Sequence, residues 1–187
     1  MKKYYQGRFT KRPRGDRPSK GKLSTHWDYN EIGDGIFIGS NRCCVLGFLP
    51  ELRKHHITAD ISLQDNAIDA PFGAKYFLWL PVRNNTSPTQ MQFDVGVATL
   101  DYFIRNKIHV FLHCKEGHGR APTLAVAYYI WKGKSVNDAL AFVKKGRSVM
   151  HLTPVQIRGL RTYAKRVVRQ RTEAHRHICE ICQKTCR

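Results

Sequence analysis

Acidic residues are scarce in this chain: 14 Asp and Glu stand against 32 Lys and Arg over 187 residues, a formal net charge of +18. The deficit is uneven. Residues 1–26 carry nine basic and one acidic residue and residues 154–187 carry nine and two, so the ends hold most of the positive charge and the middle is nearly balanced. That distribution points to anionic partners, nucleic acid or an anionic surface, steered or tethered by the ends. No apolar run is long enough to span a bilayer. Met1-Lys2-Lys3 is followed by Tyr4-Tyr5-Gln6-Gly7-Arg8 rather than an apolar segment, so no secretory leader is expected. Internal repeats are lacking. A chain of this size with 42% hydrophobic content can bury a core without covalent staples, so its six cysteines are not expected to form a disulfide framework. An intracellular, cytoplasmic or nuclear, reducing setting follows.

What is present centres on His113-Cys114-Lys115-Glu116-Gly117-His118-Gly119-Arg120. The apolar run Val110-Phe111-Leu112 precedes it and a helix-forming run from Ala121 to Trp131 follows, which places a Cys-x5-Arg loop between a strand and a helix. A thiol is a nucleophile as its thiolate, and backbone N–H dipoles, a helix N-terminus and a cation all stabilise that form. The same donors hold a phosphate. The loop from Lys115 through Glu116, Gly117, His118 and Gly119 to Arg120 is therefore the expected phosphate cradle, with Cys114 as nucleophile. Arg120 adds a planar fork for two phosphate oxygens. Gly117 and Gly119 permit a tight, positive-φ backbone. His113 has two readings, a base that titrates near neutrality or an inward residue that orients the loop.

His-Cys-x-x-Gly-x-Gly-Arg followed by Ala-Pro-Thr resembles the signature of the dual-specificity branch of the cysteine-dependent protein tyrosine phosphatases. YNEIGDGIFIGS (29–40), LPELRKHHITADISL (49–63), LPVRNNTSP (80–88) and TPVQ (153–156) resemble that family's landmarks in the same order, covering about residues 27–165. The resemblance implies an α/β fold, a central mostly parallel sheet flanked by helices. It also implies metal-independent and cofactor-free hydrolysis of phosphate monoesters through a cysteinyl phosphate, and the orienting role for His113. A phosphorylated protein is the substrate it implies first. An RNA 5′-triphosphatase, a phosphoinositide or glucan phosphatase and a phosphate-binding protein of weak turnover stay open as alternatives.

Two departures from the family pattern carry information. Ala121 stands where a hydroxyl usually follows the arginine, and Gly-Arg-Ala-Pro is similar to the plant glucan phosphatases, although no carbohydrate-binding module is present. Asn84 occupies the position of the family's general-acid aspartate, and an amide cannot donate that proton. A positioned general acid is worth about 10²–10⁴ in rate, so leaving groups of high pKa should be handled poorly. Asp65, Asp69, Asp94 and His118 are the conceivable replacements.

Residues 1–26 read as a disordered basic arm, with Tyr4, Tyr5 and Phe9 offering stacking between cations. Residues 27–170 read as the catalytic domain and 171–187 as a basic Cys/His tail. Strands are expected at 35–39, 57–63, 75–82 and 109–113, the third long and buried on both faces. Helices are expected at 50–56, 89–105, 121–132, 135–145 and 154–175. Trp79, Trp131, Tyr128, Tyr129, Cys43 and Cys44 are expected in the core. In the tail, Cys179 and Cys182 form a Cys-x2-Cys pair that Cys186 with His177 or His175 would complete as zinc ligands. The usual distant second pair is lacking, so the tail is read as a reduced, flexible segment without metal.

Overall fold

The computed structural model of the chain describes residues 28–41, 50–68, 71 and 73–185, the backbone alone at 50, 51 and 175–185. Five strands form one sheet: β1 (Tyr29–Gly33), β2 (Ile36–Ser40), β3 (Ile57–Ser62), β4 (Tyr76–Trp79) and β5 (His109–Cys114). Their order is β1-β2-β5-β3-β4, parallel throughout except for the β1–β2 hairpin. The helices are α1 (Pro50–Lys54), α2 (Gln90–Arg105), α3 (Arg120–Trp131), α4 (Val136–Gly146) and α5 (Pro154–Thr185). This is the expected α/β architecture, its sheet mostly parallel.

Alternation along the strands divides the core into two layers. Ile36 and Ile38 of β2 and Val110, Leu112 and Cys114 of β5 join the large cluster shared with α2, α3, α4 and α5. Phe37 and Phe111, one residue out of step, pack with Leu52 of α1 on the other face. The central helix is α3, in which every residue from Arg120 to Ile130 is buried. It is apolar all round because α2, α4 and α5 surround it, and its first turn is thereby fixed under the C-terminal edge of the sheet.

Three elements differ from the sequence expectation. β1 was not anticipated; it pairs with β2 through a turn at Asp34 and Gly35, both at positive φ (55° and 74°), and an Asp-Gly pair is favoured in such two-residue hairpins. The third strand is four residues long rather than eight. It forms the sheet edge, where one neighbour covers it, and Tyr76, Phe77 and Trp79 are exposed. Trp79 is therefore not a core residue, and its indole N–H donates to the Gln64 carbonyl at 2.7 Å. Tyr128 and Tyr129 are buried as expected, and Trp131 is half-buried against the same core. Burial pushes the Tyr128 phenol up to about 12 and the Tyr129 phenol higher still. Finally, α5 continues to Thr185, ten residues beyond the expected end.

Candidate active site

β5 ends at Cys114, buried with 2% exposure, and α3 begins at Arg120, so residues 115–119 form the connection between strand and helix. The orientation of this loop follows from its carbonyls. The Lys115 oxygen accepts from Asn41 N, the Gly117 oxygen from Arg147 Nε (3.4 Å) and the His118 oxygen from His151 N (3.0 Å). The Gly119 oxygen accepts from both the backbone N and the hydroxyl of Thr123 in the first turn of α3. In a trans peptide the N–H points opposite to the carbonyl of the same unit. Anchoring these four oxygens outward therefore turns the N–H groups of Glu116, His118, Gly119 and Arg120 the other way. Those same four residues line a pocket with Cys114, together with Asn84, Asn85, His151, Thr153 and Gln156. Lys115 and Gly117, expected to touch phosphate, are not among the lining residues. Gly117 has φ +68° and packs against the backbone of β2 at Gly39, whereas Gly119 has an ordinary φ of −121°.

The Arg120 side chain is buried and oriented by three oxygens. Its Nη1 donates to Asp65 Oδ1 and to the Val82 carbonyl, both at 2.9 Å, and more weakly to the Leu63 carbonyl at 3.4 Å. Its Nε is buried with no partner among the described residues. A buried guanidinium N–H without an acceptor is costly, and an anion in the pocket that Arg120 lines would relieve that cost. The donor set thus fits a phosphate dianion.

Arg147 braces the outer side of the loop. It is almost fully buried, and it holds Asp28 through two hydrogen bonds (2.7 and 2.8 Å) and Asn30 through a third (2.7 Å) while reaching Gly117. Beneath the loop, His113 Nε2 lies 3.1 Å from Asp60 Oδ1, both side chains fully buried on the α1 face, and the His113 ring stacks on Phe111 at 5.4 Å. His113 is thus buried on the α1 face and is not among the residues that line the pocket. Replacing Asp60 by leucine is expected to lower stability by about 1–3 kcal/mol, because a buried imidazole loses its acceptor. Urea unfolding measures this, and an unchanged midpoint would show that the pair contributes nothing.

The segment carrying Asn84 is tied down from several sides. Val82 is held by Arg120, the Asn85 carbonyl accepts from Thr153 Oγ1 (3.3 Å), and the Thr86 carbonyl accepts from Gln156 Nε2 (3.1 Å). Asn84 therefore lines the pocket. Of the conceivable replacements, Asp65 is engaged with Arg120, and Asp94 with Arg166 on α5. His118 lines the pocket, and Asp69 lies outside the described residues. His118 is held below its usual pKa, first by burial and then by the Arg147 guanidinium, with Asp28 and Glu116 opposing.

His175, His177, Cys179 and Cys182 fall on α5, whose backbone alone is described there; Cys186, Cys43, Cys44 and the arm lie outside the described residues. Among the described residues no group of three or more His, Cys, Asp or Glu is placed to hold a metal, and no helix is long and apolar enough to cross a membrane. Sequence reasoning gave no site role to Asn85, His151, Thr153 or Gln156. The last two lie in TPVQ, and His151 stands two residues before it, which was the available signal.

Comparison with known proteins extends the geometry. A family model described as the dual specificity phosphatase catalytic domain matches residues 36–166. Protein-tyrosine-phosphatase MKP1 of Arabidopsis thaliana is 34% identical over 76 residues, 38% of this chain and 9% of that protein. Dual specificity protein phosphatase 5 of Rattus norvegicus is 27% identical over 101 residues, 53% of this chain and 26% of that protein. The matched part of this chain thus spans about a quarter of one of these curated relatives and a tenth of the other. The crystal structure of human DUSP28 superposes with a TM-score of 0.69 at 20% identity, covering 75% of this chain and 99% of that one, which supports the fold.

Proposed function

Since the chain belongs to the dual-specificity phosphatase catalytic-domain family, we propose that it is a cysteine-dependent protein phosphatase acting on phosphotyrosine and, more slowly, on phosphoserine and phosphothreonine. The observation that carries this reading is the pocket that Cys114 shares with the loop residues Glu116, His118, Gly119 and Arg120, whose Nε has no partner among the described residues. Cys114 Sγ attacks phosphorus, an S–P bond forms as the ester P–O bond breaks, and water then hydrolyses the cysteinyl phosphate. The loop N–H groups and Arg120 hold the equatorial oxygens, whose charge is concentrated in the transition state. Asp65 is a positioning residue: by holding Nη1 it turns the rest of the guanidinium to the pocket. The names of the curated relatives support a phosphoprotein substrate. The basic ends support an anionic partner, and a reduced nucleophile supports an intracellular setting.

Asn84 supports the order of preference among substrates. Without an acid at this position the departing oxygen leaves carrying its negative charge. A tyrosine phenolate, with an ordinary pKa of about 10, leaves more readily than a serine alkoxide. The test is kcat/KM at about pH 7.5 across a series of aryl phosphates for the wild type and Asn84→Asp. The wild-type rate should fall steeply as leaving-group pKa rises. Asn84→Asp should flatten that dependence, with a gain of up to about 10²-fold for the poorest leaving group. A shallow wild-type dependence left unaltered by the substitution would overturn the inference from Asn84.

A further inference from the structure

We propose that His118, with His151 beside it, supplies the leaving-group proton that position 84 cannot, and does so only in acid, so that the substrate range of this site widens as pH falls. This rests on the phosphatase reading above. Both imidazoles line the pocket that contains Cys114, their ring centroids 5.3 Å apart and tilted by 57°. They are also joined through the backbone, where His151 N donates to the His118 carbonyl. That bond fixes the loop before α5 against the phosphate loop, so the two rings belong to one rigid unit rather than to separate mobile segments.

In-line attack by Cys114 expels the leaving oxygen on the side of phosphorus away from the thiol, toward the open mouth of the pocket. A donor must therefore stand at the rim, and the rim holds Asn84, Asn85, Glu116, His118, His151 and Thr153. Asn84, Asn85 and Thr153 have no acidic proton to give near neutrality. Glu116, exposed on the same loop, offers an acceptor-only carboxylate that a phosphate dianion repels. Among the described residues that line the pocket, an imidazolium is the remaining donor.

The proton balance closes over one turnover. As the P–O bond breaks and the S–P bond forms, the imidazolium N–H of His118 passes its proton to the leaving oxygen and becomes neutral. The neutral ring then takes a proton from the water that attacks the cysteinyl phosphate, so breaking the S–P bond restores the imidazolium. Thiolate and product phosphate leave as in the unassisted reaction.

The groups facing His118 set when this is available. Arg147 after α4 and His151 before α5 oppose its protonation, and burial opposes it most. Asp28 ahead of β1 and Glu116 of its own loop favour it. The balance lowers its pKa below the usual 6.5, so the ring is neutral above that value and charged only in acid. Assistance is accordingly present at low pH and lost as pH rises through the His118 pKa.

The experiment measures kcat/KM for phenyl phosphate divided by that for p-nitrophenyl phosphate, from about pH 5 to 8. Enzyme ionisations common to both substrates cancel in the ratio, and correcting for each ester's own second phosphate ionisation leaves the proton delivered to the poorer leaving group. The wild-type ratio should rise about tenfold or more on acidification. His118→Gln should hold it flat, with vanadate affinity retained as a check that the loop is intact. His151→Gln should move the rise to higher pH, because a neighbour opposing protonation is gone. A wild-type ratio independent of pH overturns the proposal even if the variants fail to fold, and so does a His118→Gln ratio that rises as in the wild type. Failure of the phosphatase reading is a separate result: no aryl phosphate turnover that depends on Cys114 at any pH.

Discussion

Cys114→Ser is expected to abolish turnover of an aryl phosphate, by about 10⁴–10⁶-fold, while vanadate or phosphate still binds within a few fold of the wild type. Serine is nearly isosteric with cysteine, and the buried end of β5 accepts it without rearrangement. A serine hydroxyl is a far weaker nucleophile than the thiol it replaces, so the nucleophile is lost. Losses of this size are typical when a nucleophile is removed from an otherwise intact site. The binding groups are elsewhere: the loop N–H groups keep their direction because the outward carbonyl anchors do not involve Cys114. Arg120→Ala makes the contrast, since it removes the guanidinium from the anion and also releases Asp65 and the Val82 carbonyl. Both turnover and vanadate binding should fall there. Rate measurements with p-nitrophenyl phosphate and calorimetric titration with vanadate separate the two variants. Residual activity of Cys114→Ser equal to that of the wild type would exclude a cysteinyl phosphate.

The second large effect is expected at Gly117. A Cβ built on this residue lies 2.4 Å from the Gly39 carbonyl oxygen and 2.5 Å from its carbon, and φ is +68°. Gly117→Ala thus combines a left-handed conformation, costing about 1–2 kcal/mol for a residue with a side chain, with a backbone clash that no rotamer can relieve. The strand beneath has no slack, because a Cβ at Gly39 would meet Phe111 and the Asp28 carbonyl at under 3 Å. The loop must move outward, and displacing oxyanion donors by about 1 Å costs on the order of 10²–10³ in rate. Gly119→Ala is the milder comparison: its φ is −121° and the nearest atom to its Cβ is a side-chain nitrogen, Gln156 Nε2, at 3.2 Å, which needs to give by only a few tenths of an ångström. Its kcat should stay within a few fold. Equal loss in the two variants would mean that the approach to β2 does not set the loop geometry.

What could be read from the sequence was local. Cys114, Arg120 and the glycines between them lie within seven residues, and strand, loop and helix follow from the adjoining apolar runs. Position 84 could be placed because Pro81 and Pro88 frame it and because the family pattern fixes its role. The brace of Arg147 on Asp28 could not, since those residues are 119 positions apart and each alone is an unremarkable charge. The same holds for Asp60, which reads as a polar interruption of β3 until His113 is seen opposite. Trp79 was misplaced because a run of apolar residues does not reveal whether its strand is central or at an edge; that depends on the order β1-β2-β5-β3-β4, which periodicity does not encode. The Asp34-Gly35 hairpin was legible in its dipeptide and was overlooked in favour of the apolar run after it.

The ties on the segment bearing Asn84 bear on how substrates are told apart. Arg120, Thr153 and Gln156 already hold residues 82, 85 and 86 against the pocket. An enzyme whose flap must swing shut can spend the grip on a substrate's distant parts on that motion, and the gain then appears in kcat. Here the flap is fastened before anything binds. Contacts made far from the phosphate are felt equally before and during bond breaking, and so they act on KM. A long phosphopeptide and a bare aryl ester of matched leaving group would then turn over at similar saturated rates, and selection among substrates would rest on occupancy alone.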